Sequence, residues 1–288
     1  MSKYDIPDYA HKYIHHDMIE AYTRLPSFPD ARAQLLYWML EDNRDDDRQG
    51  LYTLAVSLAQ LGLDTHDCVD NMRPEETFEQ TRARQLSVLA GDYFNGRFYQ
   101  LLARAGKLEI VRLVSSAICE VNRMKLTLNE RLRQFKLTTD EYMEYMIVIR
   151  SELFLSLTSL LRAPSGERFP ELLRGVTQCE IIQDELDRQE ADEQYKGWSY
   201  CYMLEHANAD DRAAIIMTDE ADMNALSHKY KTQLLLSELL EEQLTSVKRL
   251  IGQLDSDMLK TQLSMILEPF LVRLQRGQAA DQIRGVNL

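Results

Sequence analysis

Two acidic stretches carry the residue types with which this chain could do chemistry. The first is His66-Asp67-Cys68-Val69-Asp70 and the second is Glu180-Ile181-Ile182-Gln183-Asp184-Glu185-Leu186-Asp187. Helical positions four apart share a face, so 66 and 70 would point one way, as would 183 and 187. Carboxylates gathered like this suit a hard, oxygen-seeking cation such as Mg²⁺, which binds through one or two carboxylates plus the phosphates of a substrate. Taken singly, such clusters are most often solvated helix faces. Other groups offer less. His11 and His15 could share a helical face beside His16, but no cysteine or third ligand lies nearby, so a surface or partner-contacting helix is the better reading. Asp45, Asp46 and Asp47 run into Gly50 between apolar segments and read as a solvated loop. No Gly-rich phosphate loop, Cys-x-x-Cys pair or nucleophile elbow occurs.

The elements that must position these stretches are helical. Leu51 to Leu63 repeats its apolar residues at helical spacing and flows into the first acidic stretch. Pro74 interrupts, and 75–85 forms a polar lead into Gln85–Ala103. That helix holds Gly91 and Gly96, each costing about 1 kcal/mol relative to Ala, which implies close approach of a second helix or a ligand. Gly106 ends it. Lys107 to Leu128 presents Ile110, Val111, Val114, Ala117, Ile118, Val121 and Met124 inward. Thr138-Thr139-Asp140-Glu141 is a capping box for a helix reaching about Leu161, with Tyr142, Met146, Ile149 and Leu153 on its inner face. Phe169-Pro170 opens the helix of the second acidic stretch, through Asp187. A polar tract follows to Tyr195, then a helix over 198–205 and a loop over 207–211. Leu-rich helices fill the last part of the chain, where Pro269 kinks or divides the final one.

Composition narrows the classes. In 288 residues, 45% hydrophobic content supplies a substantial core, and eleven Gly with seven Pro favour helices over strands. A net charge of −13 argues against nucleic acid or an anionic membrane as the main partner. No apolar run reaches the ~18 residues a membrane span needs. Cys68, Cys119, Cys179 and Cys201 show no paired spacing. With no signal peptide at the N-terminus they read as reduced thiols of a cytoplasmic protein.

The order of Leu63-Asp64-Thr65-His66-Asp67, then Val88-Leu89-Ala90-Gly91-Asp92-Tyr93-Phe94, then Gln183 to Asp187 resembles the trans-polyprenyl diphosphate synthases. The first two runs resemble most the small subunit, component 1, of two-component heptaprenyl diphosphate synthases. The resemblance spans roughly residues 30 to 260. It implies an all-α, isoprenoid-synthase-like helical bundle as a single domain over 26–288, after an N-terminal extension at 1–25. In that family each of two facing helices carries Asp-Asp-x-x-Asp, which holds Mg²⁺ against the leaving diphosphate. Here the leading Asp is His66 in one motif and Gln183 in the other, so Asp67, Asp70, Asp184 and Asp187 remain. Imidazole suits softer metals, and an amide oxygen brings no charge. The diphosphate-binding basic residues reduce to Arg73 and Arg150, the latter a planar fork where the family has a lysine.

The resemblance therefore implies a chain that is inactive alone and binds neither metal nor cofactor itself. It would pair as a heterodimer with a catalytic component 2 whose Mg²⁺ does the chemistry, making a menaquinone side chain, with a homodimer possible when it is alone. Gly91, Tyr93, Phe94, Gly96, Phe98 and Tyr99 are the candidate interface residues, since aromatic anchors carry a large share of interface energy. The alternative is an active homomeric prenyltransferase or terpene-type lyase using the remaining aspartates.

Overall fold

The computed structural model describes residues 3–15, 17–23, 25–41, 48–69, 77–191, 197–217 and 221–285. Among the described residues every regular element is helical: fourteen α-helices and one 3-10 turn, with no strand. The chain divides into two compact units, one of residues 1–119 and 152–167, the other of 120–151 and 168–288.

In the first unit, α1 (Ile6–Ile14), α2 (Asp17–Tyr22), α3 (Asp30–Glu41), α4 (Arg48–Asp67) and α5 (Phe78–Arg104) precede the first half of α6 (Leu108–Arg133). Every residue from Tyr52 to Leu63 is buried, as befits a helix apolar nearly all round. α4 packs against α1, α3 and α5, and α2 also packs on α5. The segment read as an N-terminal extension adds Ile6 and Ala10 to this core. Tyr4 donates its hydroxyl to Asp30, and Tyr37 donates to the Lys3 carbonyl.

α5 starts at Phe78, inside the stretch read as a polar lead. Thr77 and Gln80 close a capping box there, Gln80 N–H to Thr77 Oγ1 at 3.2 Å and Thr77 N–H to Gln80 Oε1 at 2.9 Å. α4 likewise begins at Arg48, within the expected loop; Asp45, Asp46 and Asp47 lie outside the described residues.

The second unit holds the rest of α6, most of α7 (Thr139–Leu155) and of α8 (Ser165–Glu190), then α9 (Trp198–His206), α10 (Ala209–Met217), α11 (Ala221–Lys229), α12 (Thr232–Gly252), α13 (Asp257–Ile266) and α14 (Glu268–Gly285). The predicted capping box is present: Glu141 N–H donates to Thr138 Oγ1, and Thr138 N–H to Glu141 Oε2. α7 stops at Leu155, short of the expected 161. Ser156 and Thr158 turn their hydroxyls back onto the carbonyls of Leu153 and Leu155, and the chain tightens into the 3-10 turn. α8 begins at Ser165, ahead of Pro170, which lies inside the helix and supplies no backbone N–H to it. The expected loop at 207–211 holds for 207 and 208 and ends there, since α10 starts at Ala209. Asn208 Oδ1 accepts from Asp211 N–H at 2.8 Å and caps the helix. Pro269 divides α13 from α14 as expected.

Candidate functional site

The first acidic stretch sits at the C-terminal end of α4, where α5 crosses it. Gly91 is buried, and a Cβ built there would lie 2.7 Å from His66 Cε1 and Nε2. The imidazole thus fills the space that a side chain at 91 would need. His66 Nε2 lies 3.3 Å from Asp92 Oδ1, so both Gly91 and Asp92 of α5 engage His66. A second glycine completes the crossing. A Cβ on Gly62 would meet the Gly91 carbonyl oxygen at 3.0 Å and Asn95 Oδ1 at 2.8 Å. Gly62 escaped the sequence reading, although a glycine within an apolar helical run was the available signal. Gly96 differs: it is exposed with nothing within 4 Å of a built Cβ, so it is not a close-approach position. Asp67 is exposed; Asp70 and Arg73 lie outside the described residues.

The second acidic stretch lies on α8 in the other unit. Arg150 Nη1 of α7 meets Asp184 Oδ2 at 2.5 Å. Arg273 of α14 spans two carboxylates one turn apart, Nε to Asp187 Oδ1 at 2.9 Å and Nη2 to Glu190 Oε1 at 2.7 Å. Both arginine side chains are largely buried, at 14% and 12% exposed, while their carboxylates are about one-third to one-half exposed. Gln183 Oε1 is buried without a hydrogen-bond partner. Between these residues Glu185 turns inward. Its Oε1 accepts from the Tyr142 hydroxyl and its Oε2 from the Trp198 backbone N–H, each at 3.1 Å, which caps the start of α9. Burial pushes its carboxyl above the usual range, opposed by Arg188, the Trp198 N–H, Tyr142 and Arg150. Sequence reading passed over Glu185, Glu190 and Arg273. For Glu185 the signal was its place three residues after Ile182, on the apolar face of the helix.

Mg²⁺ demands near-octahedral oxygen coordination with carboxylate charge. The second stretch as arranged does not fit it: Asp184 and Asp187 are engaged by arginines, Glu185 is locked inward, and Gln183 offers only a neutral amide oxygen. Among the described residues no three His, Cys, Asp or Glu side chains form a group able to hold a metal ion. His11 and His15 stack with ring centroids 3.4 Å apart at the end of α1; His16 lies outside the described residues.

The interface candidates on α5 separate by burial. Phe94 and Phe98 are core residues at 0% and 5% exposed, so they are not surface anchors. Gly91 is covered by His66. Tyr93 is half-buried beneath the Arg97 guanidinium, which lies 4.8 Å from its ring centroid. Tyr99 is 54% exposed, and Leu89, which the sequence reading did not single out, is 61% exposed. Among the described residues no helix is long and apolar enough to cross a membrane.

Comparison with known proteins agrees on fold and family. The polyprenyl synthase of Caulobacter crescentus, solved with calcium and isoprenyl diphosphate, aligns over 91% of each chain with a TM-score of 0.70 and 13% identity. The decaprenyl diphosphate synthase of Rhodobacter capsulatus aligns over 93% of this chain and 95% of its own, at TM-score 0.69 and 13% identity. The heptaprenyl diphosphate synthase of Staphylococcus aureus covers 93% and 99%, at 0.64 and 14%. At such identities these likenesses show the all-α fold of the polyprenyl synthases and nothing finer. Heptaprenyl diphosphate synthase component 1 of Geobacillus stearothermophilus is 35% identical over 116 residues, 40% of this chain and 49% of that protein. The chain thus spans about half the length of this curated relative. A family model described as heptaprenyl diphosphate synthase (HEPPP synthase) subunit 1 matches residues 16–174, more than half of the 288. The chain belongs to the family of heptaprenyl diphosphate synthase subunit 1.

Proposed function

We propose that this chain is a non-catalytic subunit of a two-component heptaprenyl diphosphate synthase. It pairs with a catalytic polyprenyl diphosphate synthase subunit, component 2, whose Mg²⁺ performs prenyl transfer. The observation that carries the reading is the condition of the second acidic stretch, where Arg150 and Arg273 hold Asp184 and Asp187 in a protein of the subunit 1 family. A chain that keeps the helical core of a synthase while its carboxylates serve its own ion pairs has a structural reason for retention. Supporting a partner is such a reason.

The contact we assign to the catalytic subunit is the outer face of α5. Leu89 and Tyr99 stand exposed there, with Val88 and Gly96 beside them. An obligate interface buries more than ~2,000 Å², so α5 supplies its centre and not its whole extent. The heptaprenyl product would be the side chain of menaquinone. Four free cysteines suit a reducing compartment, which supports a cytoplasmic location. The test is a prenyl transfer assay on this chain alone, the catalytic subunit alone, and the two mixed. Long-chain product only in the mixture is the expected result. Equal product from the catalytic subunit with and without this chain would show the reading to be wrong.

A further inference from the structure

We infer that Arg150 and Arg273 are built-in counter-cations, so that the second acidic stretch binds no divalent cation and instead fastens α7 and α14 to α8. Each arginine comes from a different helix and each is largely buried, so the guanidinium is held in place by packing as well as by charge. Arg273 reaches Asp187 and Glu190 with two separate nitrogens, the fork geometry that a guanidinium offers and an ammonium does not. Glu185 is withdrawn from any outward ligand set, since both its oxygens accept hydrogen bonds from inside the unit. Neutral Gln183 keeps the charge near balance: two arginines face Asp184, Asp187 and Glu190. A divalent ion at these carboxylates would have to displace an arginine that packing holds within 3 Å of them, or bind beside it against like-charge repulsion.

The test uses Mn²⁺ as a paramagnetic substitute for Mg²⁺, with free ion counted by electron paramagnetic resonance over the full chain. Wild type and Asp184→Asn/Asp187→Asn are expected to bind Mn²⁺ identically. Arg150→Met/Arg273→Met keeps the apolar stems and removes both charges. It is expected to gain a Mn²⁺ site about tenfold or more tighter than anything in wild type, the scale of removing a nearby cation from a surface site. Adding the two Asp→Asn changes should abolish the gain. Mn²⁺ binding in wild type that Asp184→Asn/Asp187→Asn removes would overturn the inference. So would an Arg150→Met/Arg273→Met variant, helical by circular dichroism, that gains no site. The wild-type comparison decides the matter even if the double arginine variant does not fold. Neither measurement involves prenyl transfer, so its failure is distinct from failure of the partner-subunit reading.

Discussion

Four helical glycines differ in what a methyl group would meet, and this makes a graded test of the α4–α5 crossing. In the interior of a helix, Gly→Ala gains about 1 kcal/mol from propensity when nothing obstructs the methyl. Gly96 meets that condition, so Gly96→Ala should stabilise by about 1 kcal/mol. Gly62→Ala gains the same propensity but places its methyl 3.0 Å from the Gly91 carbonyl oxygen and 2.8 Å from Asn95 Oδ1. Asn95 can swing; the carbonyl is part of the α5 backbone and moves only with the helix. Overpacking of this kind costs about 1–3 kcal/mol, so Gly62→Ala should be neutral to destabilising by about 2 kcal/mol. The two variants should therefore differ by about 1–3 kcal/mol, or several degrees in melting temperature. Gly91→Ala meets only the end of the His66 side chain, which can rotate away, and should fall between them. Gly175→Ala, against Val247 Cγ2 at 2.6 Å, extends the comparison to the other unit. Thermal and urea unfolding by circular dichroism provide the readings. If Gly62→Ala is as stable as Gly96→Ala, the two helices are not in the contact described and the reasoning fails.

Other expectations follow from burial and charge. The Glu185 carboxyl is raised in the folded protein, so its stabilising contribution is complete below the ordinary carboxylate pKa and is lost as pH rises through the raised value. Glu185→Gln should flatten that pH dependence in unfolding titrations. Glu185→Ala, which strands the Tyr142 hydroxyl and the Trp198 N–H, should cost about 1–3 kcal/mol. A thiol reagent should modify exposed Cys68 and Cys119 in the native protein. Cys179 and Cys201, buried with thiols pushed up to about 12, should react only on unfolding, and counting adducts by mass spectrometry checks this. Leu89→Asp or Tyr99→Asp should abolish support of the catalytic subunit while the chain stays helical. Phe94→Asp should instead unfold the first unit, and loss of rescue by neither surface variant would remove α5 from the interface.

The helices were legible where apolar periodicity was long. Of the expected inner faces of α6 and α7, Ile110, Val114, Ala117, Val121, Tyr142, Met146, Ile149 and Leu153 are buried, while Val111, Ile118 and Met124 are half-buried. Element ends were less legible, because Thr77, Asn208 and Ser156 act through side-chain hydrogen bonds whose direction a sequence does not reveal. On α5, periodicity could mark Phe94 and Phe98 as apolar but not whether the covering surface lay within the chain or on a partner. At the second acidic stretch the carboxylates were visible and their partners were not. Arg273 lies 86 residues from Asp187, a separation that no local pattern bridges.

His66 and Gln183 each have a local consequence in their own unit. At position 66 an imidazole now rests on Gly91 and faces Asp92, so the Gly-Asp pair of α5 has a packing role that needs no substrate. At position 183 an amide leaves Asp184 and Asp187 to arginines of the chain itself. Ion pairs exposed to this degree are each worth about 0–1 kcal/mol, too little to explain the stability of either unit. They mark where helices meet: Arg150 and Arg273 join α7 and α14 to α8, and His66 rests where α4 meets α5. His66, Asp184 and Asp187 each meet a side chain of a neighbouring helix.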